Sequence, residues 1–442
     1  MLRPNASHAS DPGQSAGAKP VARTPWFWIP TLYLAEGIPY AIVTGVSVVL
    51  YKNLGYSNDE IAFYTSWLAL PWMLKPLWSP VVDILKTRRL WIWLMQLVIG
   101  TVLAGVALTL PAPHFLRYSL ALFFLLAFSS ATHDIAADGF YLLALTEGDQ
   151  SIFSGIRNAS YRVALICGQG LLVMLAGEIQ ERTGDTALAW RIALTSAAGV
   201  LLAFSVYHRL VLPRPPNDRA GRIPSDGKFL REFLATFTTF LQKPKIGRAV
   251  LFLLFYRFAE AQLVKMVSPF LLDARSAGGL GLTTEQVGFV YGTVGVIALL
   301  LGGILGGVLV SRHGLRAWLW PMVLVMHLPD AAFIYLSRVQ PENLRVIGAG
   351  VALEQFGYGF GFTAYMLYMM RLARGEHQTA HYAICTGIMT LGLMVPGMWS
   401  GKLQEMLGYP HFFTWVLLAT LPGFIVTALI PLDAEFGKRR EP

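Results

Sequence analysis

Charge is what this chain has least of: 14% of its 442 residues are Asp, Glu, Lys or Arg, against 55% apolar residues, and the mean hydropathy is +0.51. A water-soluble enzyme of two or three domains breaks its apolar runs with frequent charge, so runs of about 20 residues, long enough to cross hydrocarbon, do not occur in it. Here they recur along the whole length, which makes lipid the expected solvent. Cysteine is nearly missing: Cys167 and Cys385 each sit in an apolar run, which leaves no disulfide framework and no thiolate metal site. There is no H-E-x-x-H pair, no glycine loop leading into Lys-Ser/Thr, and no Ser or Cys with an evident base beside it. These absences argue against a metallohydrolase, a nucleotide-binding loop and a nucleophilic enzyme, and no metal or cofactor is expected. Residues 1–24 are rich in Pro, Gly, Ser and Ala and lack the apolar stretch of a signal peptide. They are expected to form a disordered cytoplasmic tail, with the first span directing insertion.

What is present is a series of spans near Trp26–Leu50, Ile61–Pro80, Leu90–Leu110, Leu120–Leu142, Ser154–Ala176 and Arg191–Leu212. A second series follows near Ala249–Leu271, Val287–Val310, Ala317–Leu336, Val346–Met370, His381–Gly401 and Phe412–Leu432. The expectation is an all-α membrane protein of about twelve transmembrane helices in two pseudo-symmetric six-helix bundles, residues 25–212 and 249–432, with a short tail at 433–442. The net charge of +9 is read as cytoplasmic loops rather than a nucleic-acid surface, because the outer loops hold few cations: Lys52, Arg117, Arg182, Arg275, Arg338, Arg345 and Lys402. Both termini are therefore expected inside. The connector 213–248 is basic, and Phe229–Gln242 carries aromatic residues at helical spacing, as an amphipathic helix on the inner membrane surface would.

Ionisable residues inside hydrocarbon cost about 2.5–3.5 kcal/mol each even on a lenient insertion scale, so each is a candidate for function. Asp134 and Asp138 lie four apart on one helix face, with His133 beside them. Two readings stay open for them: a structural salt-bridge network with Lys75 and Arg162, or a proton relay. Arg257 and Glu260 are three apart and suited to pair, although the fork of donors on Arg257 also suits a substrate carboxylate. Glu36 precedes Gly37 and Pro39, and Glu354 precedes a glycine run, so both are expected beside helix breaks that line a polar cavity. The proton-coupling candidates are thus Asp134, Asp138, Glu36, Glu260 and Glu354. The cargo-binding candidates are Arg257, Arg162, Lys75, Tyr161, Tyr256, Gln169, Gln355 and His133. Glycines in the eighth span (Gly302, Gly303, Gly306, Gly307) and tenth span (Gly357, Gly359, Gly361) are expected to permit close helix crossings.

After the eighth span comes Gly307-Val-Leu-Val-Ser311-Arg312-His-Gly314-Leu-Arg316, and the matching loop of the first half, Ser79-Pro-Val-Val-Asp83-Ile-Leu-Lys86-Thr-Arg88-Arg89, keeps the acid and the cations. This repeated gating loop resembles the signature of the major facilitator superfamily. Leu74-Lys75-Pro-Leu-Trp78-Ser79-Pro80, His133-Asp134-Ile-Ala-Ala-Asp138-Gly139, Tyr161-Arg162, Tyr256-Arg257-Phe-Ala-Glu260 and Glu354-Gln-Phe-Gly357-Tyr-Gly359 together resemble the AmpG-type muropeptide permeases and the related acetyl-CoA transporters. The resemblance implies proton-driven uptake of anhydro-muropeptides across a bacterial inner membrane by a monomer, with an organic cargo and protons as partners. It departs at His133, where Gln is usual, at Glu260, where Asp is usual, and in a shortened first inner loop, which leaves acyl-CoA, siderophore or drug cargo as alternatives. An intramembrane enzyme and a non-transporting receptor are the rivals of another class.

Overall fold

The computed structural model describes residues 24–110, 112–219, 228–375, 378–432 and 436–438. The tails expected at 1–24 and 433–442 fall almost entirely outside the described residues, as does part of the connector, 220–227. Every long element is a helix. The first group comprises α1 (Pro25–Asn53), α2 (Asn58–Trp67 and Leu70–Leu85), α3 (Arg88–Thr109), α4 (Phe115–Ala144), α5 (Ile152–Thr183) and α6 (Thr186–Val211). A shorter helix, α7 (Lys228–Leu241), occupies the connector. The second group comprises α8 (Ile246–Phe255 and Phe258–Leu272), α9 (Thr284–His313), α10 (Leu315–Val339), α11 (Leu344–Ala373), α12 (Gln378–Leu407) and α13 (Tyr409–Leu429). Among the described residues, nine helices are long and apolar enough to cross a membrane; α2, α8 and α11 run beside them without meeting that standard. α2 and α8 are each broken in two, and α11 carries Arg345, Glu354 and Arg371.

Local chemistry sets the ends. Ser57 and Glu60 form a reciprocal capping box at the start of α2, and Thr283 with Gln286 does the same for α9. Gly314 ends α9 at φ +86°, a conformation that favours glycine, while its N–H closes on the Val310 carbonyl. The Asp218 carboxylate accepts from the Arg88 and Arg89 backbone N–H groups at 2.8 and 3.0 Å, so the connector caps α3.

The two groups of helices meet in a lopsided way. At the end of the bundle carrying the turns 53–58, 183–186 and 407–409, one apolar core runs through both groups, from Leu50, Tyr51 and Ile61 to Phe270, Tyr409 and Phe413. At the opposite end, where α7 lies, the cores are separate: Trp28, Tyr33, Ile135 and Phe140 in the first group, Phe252, Tyr256, Met322 and Tyr365 in the second. The first end is thus sealed by shared burial, and at the second each half is packed on itself.

Glycine spacing explains the tight crossings. A Cβ on Gly292 would lie 2.0 Å from the Gln169 carbonyl, and one on Gly170 3.1 Å from the Gly292 carbonyl, so α5 and α9 touch backbone to backbone between the halves. Both contacts fall in single π-helical turns, Ile166–Leu172 and Val290–Gly295. Within the second half, Gly359 sits against the Leu299 carbonyl, and Gly302 against the Phe356 carbonyl, at distances only a hydrogen permits. Two expectations are corrected here. Gly307 has open space around it and makes no close crossing; Gly302 and Gly306, on the packed face of the same helix, do that work. The glycine run after Glu354 does not break α11, because those glycines fit a continuous helix between α9 and α10.

Candidate coupling and cargo site

The acids of the first half line up along α4 and α1. Asp138, nearest the α7 end, accepts from Arg157 Nη2 at 2.6 Å and lies at the edge of Tyr33 OH reach, 3.5 Å. The Arg157 guanidinium also stacks 4.6 Å over the Tyr33 ring. One turn deeper, Asp134 Oδ2 accepts from Trp72 Nε1 at 2.9 Å, with Lys75 Nζ 3.8 Å away. Among the described residues Asp134 Oδ1 has no partner, and neither have Glu36 Oε2 and His133 Nδ1. Side-chain exposure falls from 41% at Asp138 to 14% at Asp134. Glu36 is buried. The file is therefore reached from the α7 end and closes toward the sealed end.

Glu36, His133 and Asp134 bring one ligand atom each within 4.8 Å of one another. That spacing would accept a cation, but Lys75 already places a positive charge beside Asp134, which disfavours a multivalent ion. Among the described residues Glu36 and Asp134 bring unsatisfied oxygens into the same cluster. His133 is wholly buried and held by Gln96, whose Nε2 is 2.9 Å from His133 Nε2 while its Oε1 is 2.9 Å from His208 Nδ1. As Gln96 is placed, its amide donates to His133 Nε2, which leaves the proton of a neutral imidazole on Nδ1, facing the acids.

Across the interface, Arg257 follows the break in α8 and binds Glu260 through two nitrogens, at 2.6 and 3.0 Å. Its Nη2 also donates to Tyr358 OH at 2.7 Å, and it lies against the adjacent rings of Tyr358 and Phe362, 5.0 and 4.8 Å from the ring centres. This is the pairing that the three-residue spacing allows, with two aromatic neighbours added. Glu354 is buried and accepts from Gln355 Nε2 at 2.9 Å. Tyr40 of α1 lies within Coulombic reach of Arg257, Asp134 and Arg162, so the two halves face each other across these groups.

The structure does not bring every candidate to that surface. Tyr256 is fully buried, donates to the Gly361 carbonyl at 2.9 Å and stacks on Tyr365, so it packs the second half and is not open to cargo. His133 is likewise enclosed and reaches the acids only from behind. Gln169 lies in the α5–α9 crossing beside Gly45. Tyr161 packs near Tyr40, 6.3 Å between ring centres, with Arg162 next to it and without a hydrogen-bonded or ionic partner among the described residues. In the gating loop, Ser311 donates to its own helix, while Arg312 and Arg316 are exposed. The Asp83 side chain lies outside the described set.

Sequence reasoning missed several contributors. Arg157 lies inside the fifth expected span and Trp72 one turn before Lys75, so helical spacing offered both. Gln96 and His208 come together only through packing of α3 on α6, and nothing in the sequence joins them.

This architecture is that of a multi-pass secondary transporter, and the sequence profile of the Major Facilitator Superfamily matches residues 31–397. The chain belongs to that superfamily, and it is a permease of the inner membrane rather than an enzyme. Within it, its relatives are of the AmpG group. The Rickettsia conorii protein designated transporter AmpG 4 is 26% identical over 415 residues, covering 90% of this chain and 95% of that one. The anhydromuropeptide permease of Escherichia coli is 24% identical over 412 residues, covering 92% and 80%. Among solved structures, the nucleoside transporter NupG superposes with a TM-score of 0.68 at 15% identity, covering 92% of this chain and 98% of that one. A bacterial homologue of the human lysosomal transporter Spinster, in an inward-facing and occupied conformation, gives 0.66 at 16%, covering 93% and 96%.

Proposed function

We propose that this chain carries anhydro-muropeptides into the cytoplasm together with protons, by rocking two six-helix bundles of twelve crossing helices about the α1–α2–α4–α5/α8–α9–α11–α12 surface. The sealed end is the periplasmic one, both termini and α7 are cytoplasmic, and one chain suffices. The observation that carries this reading is the graded polar file. Asp138, Asp134 and Glu36 retreat from the α7 end into the bundle opposite Arg257, Glu260 and Glu354, and they stop where the shared apolar core begins.

Glu36 and Asp134 hold the coupling proton, and Lys75 and Trp72 keep Asp134 oriented. Asp138 with Arg157 guards the cytoplasmic approach. An elementary charge moving through about 100 mV gains about 2.3 kcal/mol, so one proton per cargo sustains a useful gradient. The cargo reading rests on the AmpG-group relatives, and the alternative cargo is an acyl-CoA. Right-side-out vesicles bearing the protein, offered labelled anhydro-muropeptide or labelled acyl-CoA, separate the two. Saturable uptake of the muropeptide is expected, and uptake of acyl-CoA alone would overturn the cargo assignment.

A further inference from the structure

Interior cations in this chain mostly have a carboxylate. Lys52 has Asp273 at 2.6 Å, Lys75 has Asp134, Arg157 has Asp138, and Arg257 has Glu260. Lys265, midway along the second segment of α8, has none among the described residues. Its Nζ donates to Thr65 Oγ1 of α2 at 3.0 Å, which leaves two of the three ammonium hydrogens unused among the described residues.

The surroundings hold a second unused polar group. Thr65 Oγ1 gives its own hydrogen to the Ile61 carbonyl, so toward Lys265 it only accepts. Next to it, Ser66 is 1% exposed and its hydroxyl has no partner among the described residues. A Cβ on Gly397 of α12 would stand 3.1 Å from Ser66 Oγ and 3.2 Å from Lys265 Cγ, so the unused hydroxyl and the lysine stem meet at one seam. An ammonium inside a membrane protein without a counter-charge is expensive, and it is normally retained for something that arrives.

We propose that Lys265, with Ser66 beside it, receives a carboxylate of the cargo at the seam between the two halves. Two unused ammonium hydrogens and one hydroxyl hydrogen suit an oxyanion, and no acceptor among the described residues takes them. Thr65 and Ser66 belong to the first half and Lys265 to the second, so the bound carboxylate contacts both and its arrival bears directly on how the halves close. Arg162, which also lacks a partner among the described residues, stands on the first half as the nearest analogue. The assignment rests on the transporter reading and is independent of which acid is carried.

The test is ligand-induced stabilisation of the purified full-length protein, measured by thermal shift. The probes are anhydro-muramyl tripeptide with free carboxylates, the same compound with its carboxylates amidated, and acetyl-CoA. The wild type is expected to prefer the free acid to the amide. Lys265→Met is expected to lose about tenfold in half-saturating concentration for the acid and to leave the amide unchanged, as deletion of a charge-assisted contact does. Lys265→Arg should keep the preference. Ser66→Ala, a smaller change, should weaken the acid alone by a few-fold, so the assignment stays testable if Lys265→Met does not fold. A wild type indifferent to amidation, or a Lys265→Met protein that still prefers the acid, overturns the anion site. Lys265-dependent stabilisation by acetyl-CoA with none by the tripeptide overturns the muropeptide reading and leaves the anion site standing.

Discussion

At the scale of single residues, the paired charges are asymmetric in what their loss would do. Arg257 is buried, two of its nitrogens are engaged by Glu260, and the neighbouring rings of Tyr358 and Phe362 lie against it. Glu260→Gln would leave that guanidinium without its counter-charge, and removing one member of a buried pair costs about 3–5 kcal/mol. Thermal unfolding in detergent should therefore fall sharply for Glu260→Gln and recover in the double variant Arg257→Met/Glu260→Leu; equal destabilisation by both would mean that the pair itself holds the fold. Asp138 and Arg157 are far more open, at 41% and 32%, so Asp138→Asn should leave the unfolding temperature nearly unchanged while slowing uptake. The Arg257–Glu260 pair was legible from a three-residue spacing. The partnership of Asp138 with Arg157 was not, because the contact joins α4 to α5 and depends on how far each helix extends past its apolar stretch.

At the scale of elements, the interruptions carry most of the information. The break at Tyr256–Arg257 puts Arg257 at the start of the second segment of α8, where it meets Glu260 and Tyr358, and no neighbouring Pro or Gly marks it in advance, the nearest in α8 being Gly247 and Pro269. The π-helical turns in α1, α5 and α9 are likewise silent in the sequence apart from their glycines, since a π turn is one extra residue absorbed by packing. The opposite error arises in α11, where Gly357, Gly359 and Gly361 suggest a break but serve contact with carbonyls of α9 and α10. Gly359→Ala should cost about 1–3 kcal/mol by forcing α9 and α11 apart, and Gly307→Ala, with nothing within reach, should cost nothing; similar unfolding temperatures for the two would contradict the crossing described here.

At the scale of the whole molecule, the sealed end is a polar lock set on the shared apolar core. Asn58 reaches Asp273, Gln404 and Tyr409, while Asn53 donates to Thr284 at 2.7 Å, which donates in turn to Gln180. A cleft of about 500 Å³ lined by Lys52, Asn53, Gln180, Asp273 and Thr284 opens just outside it. In a background with Cys167 and Cys385 replaced by Ala, an Asn53→Cys/Thr284→Cys pair should cross-link under mild oxidant and stop uptake, and reductant should restore it. Undiminished uptake by the cross-linked protein would mean that these helices do not separate during transport. The two-bundle plan could be read from the order of apolar runs and the repeated loop motif. Which end is sealed could not, because it depends on side chains more than 200 residues apart in sequence, such as Asn53 and Thr284.

The claim on which the rest depends is that Glu36 and Asp134 take up a proton for each cargo moved. Proteoliposomes holding a pH-sensitive dye, with anhydro-muropeptide added outside and no gradient imposed, measure this directly. The wild type should acidify the lumen in step with cargo entering, and Asp134→Asn with Glu36→Gln should abolish the acidification. Cargo accumulating with no change in lumenal pH, or acidification that survives both substitutions, would contradict it.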